Sequence, residues 1–358
     1  MTSTTTHDVS VPIRGLLSFG EELLTRYGVP DADARLTCDI LLQADLRGVE
    51  SHGMAHLVDF YVRRLQRAEI NPTPDVHVVR ETPSAATVDG DGGLGFVVGH
   101  RAMERAIDKA RETGVGIVSV GNSTHCGAGA YYAMMALEHD MIGLSMTTGG
   151  RLMAPPGGRT AALGTNVISF AAPAPRGFPY VLDMATTVVA AGKFEIAARR
   201  ERSVPEGWAI DANGQPLTDP ASFRQDGALL PLGGDETTAS YKGFGLAMMV
   251  DILCGALSGF GTSTEIPPGT AAHGFGALRI DAFQPLPDFL EVMGRAIDNL
   301  KRVTTEDGEP VRIPGELEHR LAEERRAAGA VPLHPKIIAG YREIADELGI
   351  EFDLEPES

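Results

Sequence analysis

The hydrophobic periodicity changes once along this chain, and that change limits the possible folds more than any other feature. Through the first 70 residues apolar side chains recur at helical spacing, and Gly28-Val29-Pro30 and Gly48 separate three predicted helices, the third following Ser51 to about Ala68. From Ala85 onward, short β-rich runs alternate with helices, in the order strand 86–88, helix 99–112, strand 116–120, helix 130–139 and strand 141–147. The pattern predicts a helical lobe beside a mixed α/β lobe.

The alternation continues beyond a long irregular segment. Residues 149–166 are rich in glycine and proline, which predicts a functional loop. Past it the pattern predicts strands at 167–172 and 180–182, followed by helices at 186–200, 242–257, 287–300 and 314–329.

The composition is typical of a small-molecule enzyme. The 42 glycines in 358 residues exceed the usual share of about 7%, which indicates tight turns and close approaches of backbone to a ligand. A net charge of −17 repels nucleic acid. The sequence contains no uninterrupted run of about 18 apolar residues, so it predicts no membrane span. Cys38, Cys126 and Cys254 are far apart, and the N-terminus lacks a signal-peptide pattern. We expect a cytoplasmic protein with reduced thiols and with neither nucleic acid nor membrane as a partner.

One glycine motif imitates a dinucleotide fingerprint. Residues 90–95 fit G-x-G-x-x-G between a strand and a helix. The next strand ends in Gly121-Asn122-Ser123, where an acidic residue should meet the ribose. We therefore interpret the motif as a turn and predict no Rossmann domain.

The segment between the second and third helices carries one candidate proton-transfer group. If Ser51 caps the third helix, His52 lies in its first turn, where the helix dipole disfavours imidazolium by about 0.3–1 kcal/mol. A neutral imidazole beside a hydroxyl and the Arg47 guanidinium suits proton transfer and anion binding. The alternative is that Ser51 is only a cap and Arg47 only complements a helix C-terminus. His52, His56 and Asp59 also offer metal-ligand spacing, without the glutamate of H-E-x-x-H.

A second candidate lies between a strand and a helix. His125 is surrounded by small residues in Gly121-Asn122-Ser123-Thr124-His125-Cys126-Gly127-Ala128-Gly129, which lets backbone amides and a ligand come close. The alternative is a packed loop histidine with Cys126 as a small apolar residue. Gly192-Lys193 and Lys242-Gly243 suit phosphate binding, and Asp183 is placed either to cap a helix or to bind a ribose.

Together these residues resemble the malate/L-lactate dehydrogenase family, which includes ureidoglycolate and sulfolactate dehydrogenases. The likeness covers nearly the whole chain. The motifs that carry it are Arg47-Gly48 with Ser51-His52-Gly53, His125 with Gly127, Gly164-Thr165-Asn166, Leu182-Asp183-Met184-Ala185-Thr186-Thr187, Gly192-Lys193, Pro205 with Trp208, Thr218-Asp219-Pro220, Leu232-Gly233-Gly234, Lys242-Gly243 with Gly245, and Pro314-Gly315-Glu316.

The resemblance implies an α/β (α+β) fold that is sulfolactate dehydrogenase-like and not Rossmann. A cofactor lobe with a largely antiparallel sheet would pack on a helical lobe built from both chain termini. The corresponding ranges are 1–82 for the N-terminal helical part, 83–280 for the nicotinamide-cofactor lobe and 281–358 for the returning C-terminal helices. The resemblance also implies a homodimer with an interfacial active site.

The same resemblance implies roles for individual residues. His52 and His125 would be the proton donor and acceptor, and Arg47 and Ser51 would shape the substrate pocket. No metal is implied. NAD or NADP would be held by Asp183, Met184, Ala185, Lys242, Gly243, Pro314, Gly315 and Glu316, with Gly149 and Thr165 also facing the cofactor.

The chain departs from the family pattern at three positions. His56 stands where arginine is common, so the planar guanidinium that would grip a substrate carboxylate is missing. Gly149-Gly150 replaces a polar pair, and Val167 replaces a proline. His56 and Arg47 are the expected substrate-side residues, and of the three changes His56 bears most on the choice of substrate.

The sequence therefore predicts an NAD(P)-dependent oxidoreductase. It would transfer a hydride between nicotinamide and a small 2-hydroxy or 2-oxo acid, or a related imino acid, with histidine acid-base catalysis. The alternatives are a metal-dependent hydrolase or lyase using His52, His56 and Asp59, and a catalytically silent dinucleotide-binding paralogue.

Overall fold

The computed structural model describes residues 8–354 as helices and strands in a mixed order. The strands are β1 Val9–Pro12, β2 His77–Glu81, β3 Ala85–Gly93, β4 Val115–Ser123, β5 Met141–Thr148, β6 Val167–Ala172, β7 Tyr180–Met184, β8 Ala209–Ile210, β9 Ala228–Leu229, β10 Ala271–Arg279 and β11 Ala330–Leu333. The α-helices are α1 Ile13–Arg26, α2 Asp31–Leu46, α3 Arg63–Gln66, α4 Gly95–Thr113, α5 Ala130–Met135, α6 Gly192–Arg199, α7 Phe223–Asp226, α8 Tyr241–Val250, α9 Leu286–Lys301, α10 Glu316–Ala328 and α11 Pro335–Leu348. Short 3₁₀ turns lie at Glu50–His52, Met54–His56, Ala136–His139 and Ile280–Ala282, and π-helical turns at Leu57–Val62 and Asp251–Ala256.

Both ends of the chain contribute to one helical lobe. Strand β1 pairs antiparallel with β11, which fixes the N-terminal helices beside the C-terminal ones. Helix α1 buries Leu16, Phe19, Leu23 and Leu24, a helical stripe that shares one core with α2 and with Tyr341 of α11. The expected helical lobe from both termini is confirmed.

A seven-stranded sheet forms the second lobe, in the order β2-β3-β4-β10-β5-β6-β7. Only the β3–β4 pair is parallel, joined by the crossover helix α4, and every other neighbouring pair is antiparallel. The expectation of a largely antiparallel, non-Rossmann sheet is therefore confirmed. The domain boundaries given above stay a prediction.

The central strand β10 was not predicted from the sequence. It reads Ala-Ala-His-Gly-Phe-Gly-Ala-Leu-Arg, and its first seven residues are all buried. A strand buried on both faces shows no apolar-polar alternation, and its two glycines weaken the β signal further. Strands β1, β2, β8, β9 and β11 and helices α7 and α11 were also missed.

Three predicted helices differ most from the structure. The third helix after Ser51 is instead a series of 3₁₀ and π turns that becomes α-helical only at Arg63. The predicted helix 186–200 begins only at Gly192, because Thr186 and Val188 donate backbone hydrogen bonds to Thr165 and Leu230. The predicted helix 242–257 is α-helical to Val250 and π-helical to Ala256.

The motif at 90–95 lies mostly inside strand β3, which runs to Gly93, and so does not form a phosphate-binding turn. Within residues 8–354, no helix combines the length and the apolar character needed to cross a bilayer.

Glycines let the helices of the second lobe lie close to the sheet. A Cβ added to Gly116 on β4 would lie 1.9 Å from the carbonyl oxygen of Ala106 in α4. At Gly143 on β5 the corresponding distance to the carbonyl oxygen of Ala133 in α5 is 2.0 Å. These two glycines therefore serve packing between the helices and the sheet.

We predict that Gly116→Ala lowers the free energy of unfolding by about 2 kcal/mol or more, because the new methyl group cannot fit against the α4 backbone. Gly340→Ala in α11 is the matched control, since a Cβ there has no atom within 4 Å. That variant should be unchanged or gain up to about 1 kcal/mol from helix propensity. Urea denaturation checks both, and equal stability of the two variants would contradict the close packing.

Candidate active site

The loop that carries His52 is shaped by a buried carboxyl group. Asp45, near the end of α2, accepts a hydrogen bond of 2.7 Å from the backbone amide of Met54. A Cβ on Gly53 would lie 2.0 Å from an Asp45 carboxyl oxygen, so only glycine fits at this position. Burial raises the pKa of Asp45 to about 7. The motif therefore needs glycine at position 53, because the backbone there packs directly against the Asp45 carboxyl group.

Ser51 does not cap a helix. It lies within a 3₁₀ turn, and its Oγ is 2.9 Å from Nδ1 of His52. The pKa of His52 is lowered to about 4, mainly by burial and then by the charges of His56 and Lys193. The expected neutral imidazole is therefore supported, but burial rather than the helix dipole is the main cause.

His125 extends from the loop between β4 and α5. Gly127 in this loop has φ of 73° and packs against Phe96, so the chain turns sharply behind the imidazole. Tyr61 Oη lies 2.5 Å from Nδ1 of His125, and the Gly127 amide donates to the same nitrogen at 3.3 Å. Burial, followed by the neighbouring charges of His52, His56, His273 and Arg64, lowers the pKa of His125 well below its usual value. Neighbouring Cys126 is buried, and burial raises the pKa of its thiol to about 12.

The structure brings the two histidines together. Their ring centroids are 5.5 Å apart and the rings are nearly parallel, at 22°. Both side chains are half-buried, so the pair is partly reachable from solvent. Each ring uses Nδ1 within the protein, to Ser51 or to Tyr61 and Gly127, and Nε2 has no such partner within residues 8–354. Two neutral imidazoles with free Nε2 atoms can exchange or share a proton with one small ligand.

His56 and Lys193 lie on the same side as His52. The ring centroids of His52 and His56 are 6.4 Å apart, and His56 Nε2 lies 3.8 Å from a carboxylate oxygen of Glu195. Burial lowers the pKa of His56, so this side chain does not replace a permanent cation. A Cβ on Gly192 would lie 2.7 Å from Cβ of Ser51, which places the exposed Lys193 next to the histidine loop. Across residues 8–354, no carboxylate lies within ion-pair distance of Lys193.

Arg47 is buried at the end of α2. Burial lowers the pKa of its guanidinium, and the charges of Glu318 and Asp183 oppose that effect. Arg47 thus lies near enough to two carboxylates for their charges to act on it, and one of them is Asp183 on β7.

The residues expected to hold the cofactor gather around the end of β7. A chain of backbone hydrogen bonds runs from Gly243 to Leu232, from Leu232 to Thr186 and from Thr186 to Thr165. Gly164, next to Thr165, packs against the backbone of Gly149, and a Cβ on Gly149 would meet no atom within 4 Å. Lys242 is exposed, as is Asp183, while Met184 and Ala185 are half-buried.

Two of these expected cofactor residues also have structural partners. Asp183 accepts hydrogen bonds from the Ser169 hydroxyl at 2.6 Å and from the amide of Ala130 at the start of α5 at 2.9 Å. It therefore caps a helix, but not the one that follows it in sequence. Glu316 is ion-paired with Lys301 and accepts from the amide of Ile313 at 3.0 Å.

The turn that contains Glu316 is attached to β7. The carbonyl of Pro314 accepts from the amide of Val181 at 3.1 Å. Gly315 has φ of 91°, and a Cβ there would lie 2.9 Å from that same amide nitrogen. This turn thus lies at the start of β7, and the motifs that contain Thr165, Thr186 and Gly243 meet just past its end.

The proposed metal triad is not assembled. Asp59 is exposed, and within residues 8–354 no three histidine, cysteine, aspartate or glutamate side chains are arranged to hold a metal ion. The interpretation of His52, His56 and Asp59 as a ligand set is therefore wrong.

Sequence reasoning missed three residues of the site. Tyr61 and Phe60 come from the π-helical turn, and the edge of Phe60 packs on His125 with a centroid distance of 5.2 Å. His273 is buried in β10 between two hydroxyl groups. Its Nε2 lies 2.9 Å from the Ser123 hydroxyl, and its Nδ1 contacts the Thr147 hydroxyl. In the sequence, aromatic residues at helical spacing resembled core, and His273 lay in an unpredicted strand.

Comparison with known proteins identifies the family. Residues 11–340 match the malate/L-lactate dehydrogenase family. The chain belongs to this family. A malate dehydrogenase of Pyrococcus horikoshii is 44% identical over 351 residues, which cover 96% of each protein. An L-sulfolactate dehydrogenase of Methanocaldococcus jannaschii is 37% identical over 339 residues, covering 93% of this chain and 95% of the relative.

A solved structure supports the fold of this malate/L-lactate dehydrogenase family member. The crystal structure of malate dehydrogenase from Entamoeba histolytica superposes with a TM-score of 0.92 at 30% identity, covering 96% of this chain and 99% of that one. The protein is therefore a dehydrogenase that acts on CH–OH groups with a nicotinamide cofactor.

Proposed function

We propose that the protein transfers a hydride between NAD or NADP and C2 of a small 2-hydroxy or 2-oxo acid, or a related imino acid, with His52 and His125 as the acid-base pair. The observation that carries this proposal is the stacked, neutral His52–His125 pair next to the strand end where the expected cofactor residues meet. Malate and sulfolactate are the first substrates to test, because relatives that match nearly the full chain are named for them.

The residues present fit a nicotinamide cofactor. Gly149 leaves open space at the end of β5, and the exposed Lys242 has no ion-pair partner within residues 8–354, as a phosphate contact requires. Asp183, Met184 and Ala185 would line the cofactor beside β7, with Thr165 and Gly243 behind them. When bound, the cofactor supplies the nicotinamide carbon that accepts or gives the hydride.

The histidines would handle the proton. In the oxidative direction the hydroxyl proton of the substrate passes to an imidazole while the C2 hydrogen leaves with its electron pair, so that the alcohol becomes a carbonyl. A neutral imidazole is the form that can accept this proton, and the lowered pKa of His52 keeps it neutral at pH 7. The half-buried site also limits exchange of the proton with bulk water.

Lys193 would bind the anionic group of the substrate. His56 is not a permanent cation, and the guanidiniums of Arg199 and Arg224 lie near Glu50 and Glu195, at 3.6 Å and 2.8 Å. Lys193 lacks such a partner and lies beside Ser51. We propose that it takes over the carboxylate contact that an arginine makes elsewhere in the family, with Arg47 and His56 shaping the remaining wall.

We further propose a homodimer with an interfacial active site. The outer face of α8 and the following π turn exposes large apolar side chains, namely Tyr241, Met248, Met249, Ile252, Leu253 and Leu257. These residues recur at helical spacing and form one stripe, and such a stripe on a helix that lies over the sheet suits a second copy. Helix α9 adds exposed Val292 and Leu300.

We also propose that the enzyme works in the cytoplasm. Its three cysteines are free and buried, which fits a reducing compartment. Recovery of the protein in an oxidising compartment on cell fractionation would contradict this.

The proposed reaction is tested by reducing a panel of 2-oxo acids and cyclic imines with NADH and with NADPH. We expect turnover of oxaloacetate or sulfopyruvate, and we expect His125→Ala to lower kcat by at least about 100-fold while the cofactor still binds. Absorbance reports turnover, and fluorescence titration reports cofactor binding. Cofactor binding without turnover by the wild type would favour the silent paralogue, and near-normal turnover of His125→Ala would remove that residue from the proton step.

Lys193→Met should raise KM for the oxo acid by about tenfold or more, because a charge-assisted hydrogen bond to the substrate is lost. The KM for the cofactor should stay within about twofold. Lys242→Met is the matched control, for which the cofactor KM should rise instead. Steady-state kinetics with each substrate varied separates the two, and an unchanged oxo-acid KM in Lys193→Met would contradict the assignment.

The double variant Ile252→Lys/Leu257→Lys should be a folded monomer, because two charges in the apolar stripe prevent its burial against a partner. Sedimentation velocity measures the mass, and circular dichroism checks the fold. Val79→Lys, which alters an exposed apolar residue on β2, should stay dimeric. A dimeric double variant or a monomeric wild type would contradict this interface.

A further inference from the structure

Tyr61 is a fully buried tyrosine whose hydroxyl faces the active site. It lies in the π-helical turn Leu57–Val62, and its ring packs against Phe96 and Phe60 with centroid distances of 4.8 and 5.0 Å. Its hydroxyl is 2.5 Å from Nδ1 of His125. Within residues 8–354 this hydroxyl contacts no other hydrogen-bonding group. Because buried polar groups need a hydrogen-bond partner, the bond to His125 fixes the position of the Tyr61 hydroxyl.

A second donor points at the same nitrogen. The backbone amide of Gly127 donates to Nδ1 of His125 at 3.3 Å, and a backbone amide cannot accept in return. At 3.3 Å this is a long hydrogen bond, so the Gly127 amide favours a lone pair on Nδ1 without fixing it. The Tyr61 hydroxyl completes the arrangement as a second donor, and the ring proton of neutral His125 falls on Nε2.

The orientation of the ring is fixed from three sides. The edge of Phe60 meets it at 68°, His52 stacks on it, and the bonded Tyr61 and Gly127 hold the Nδ1 edge. Nε2 is therefore the atom of His125 that is available to form a hydrogen bond with a ligand.

We propose that Tyr61 is a positioning residue that holds His125 in the Nε2–H tautomer, so that His125 donates a hydrogen bond to the reacting oxygen of the substrate. This proposal rests on the proposed function and deepens it, because it gives the two histidines different tasks. A neutral Nε2–H imidazole cannot accept a proton at Nε2. In the oxidative direction the hydroxyl proton then passes to His52, whose ring has no backbone donor on Nδ1, while His125 stabilises the developing charge on oxygen.

The first test needs neither cofactor nor substrate. In ¹⁵N-histidine-labelled wild-type protein at pH 7.5, two-bond ¹H–¹⁵N correlations should report the Nε2–H tautomer for His125, whose signals are assigned by their loss in His125→Asn. Tyr61→Phe keeps the packed ring and removes only the hydroxyl, and its His125 signals should show a mixture of both tautomers. An Nδ1–H tautomer in the wild type overturns the proposal, whatever the outcome of the activity panel.

The second test is kinetic. Tyr61→Phe should lower kcat about tenfold, because the His125 ring no longer points correctly at the reacting oxygen. The KM of the oxo acid should stay within about twofold, because binding of the substrate's anionic group is unchanged. Tyr131→Phe is the matched control, since it breaks a 3.1 Å tyrosine–histidine bond to His100 outside the site and should leave kcat unchanged. A change in tautomer without loss of kcat, or a loss of kcat without a change in tautomer, overturns the positioning role. If no substrate is turned over at all, the proposed function fails while the tautomer measurement still stands.

Discussion

Burial of two imidazoles against each other is the interaction on which this site depends. The ring centroids are 5.5 Å apart, burial lowers the pKa of both His52 and His125, and the charge of His52 lowers the pKa of His125 further. The pair is therefore neutral at physiological pH, and a neutral pair can accept a hydroxyl proton or polarise a carbonyl. Exposure of the same two side chains to water would return their pKa values toward about 6.5 and remove the fixed spacing.

Keeping the pair in place requires rigid supports from distant parts of the chain. The His52 loop lies on the Asp45 carboxyl through Gly53 and is covered by Gly192 of α6. The His125 loop is attached to β7 through the bond between Ala130 and Asp183. Asp183 thus links the histidine pair to the strand end where the expected cofactor residues gather. Helical and sheet lobes meet at the site, so neither lobe holds it alone.

Much of this could be predicted from the sequence, and the failures have physical causes. The motifs around His52, His125 and Asp183 were sufficient to predict the family, and the family resemblance then implied the antiparallel sheet and the convergence of the two histidines. Tyr61 could not be recognised, because its spacing is that of a core residue and only the π turn directs it to His125. The helix expected from Thr186 begins six residues later, because backbone bonds to Thr165 and Leu230 compete with helix formation. Such tertiary hydrogen bonds leave no periodic signal.

The position of β10 has a consequence for how the protein is made. β4 and β5 are separated in the sheet by a strand that is synthesised about 120 residues after β5, so the two halves of the sheet cannot join until residues 271–279 have emerged. Before then, β4 and β5 each present an unpaired edge of mostly small and apolar residues. The same strand carries His273, which forms a hydrogen bond with Ser123 at the end of β4, where the His125 loop begins. Closing the sheet and completing the support of the His125 loop are therefore a single late event during biosynthesis.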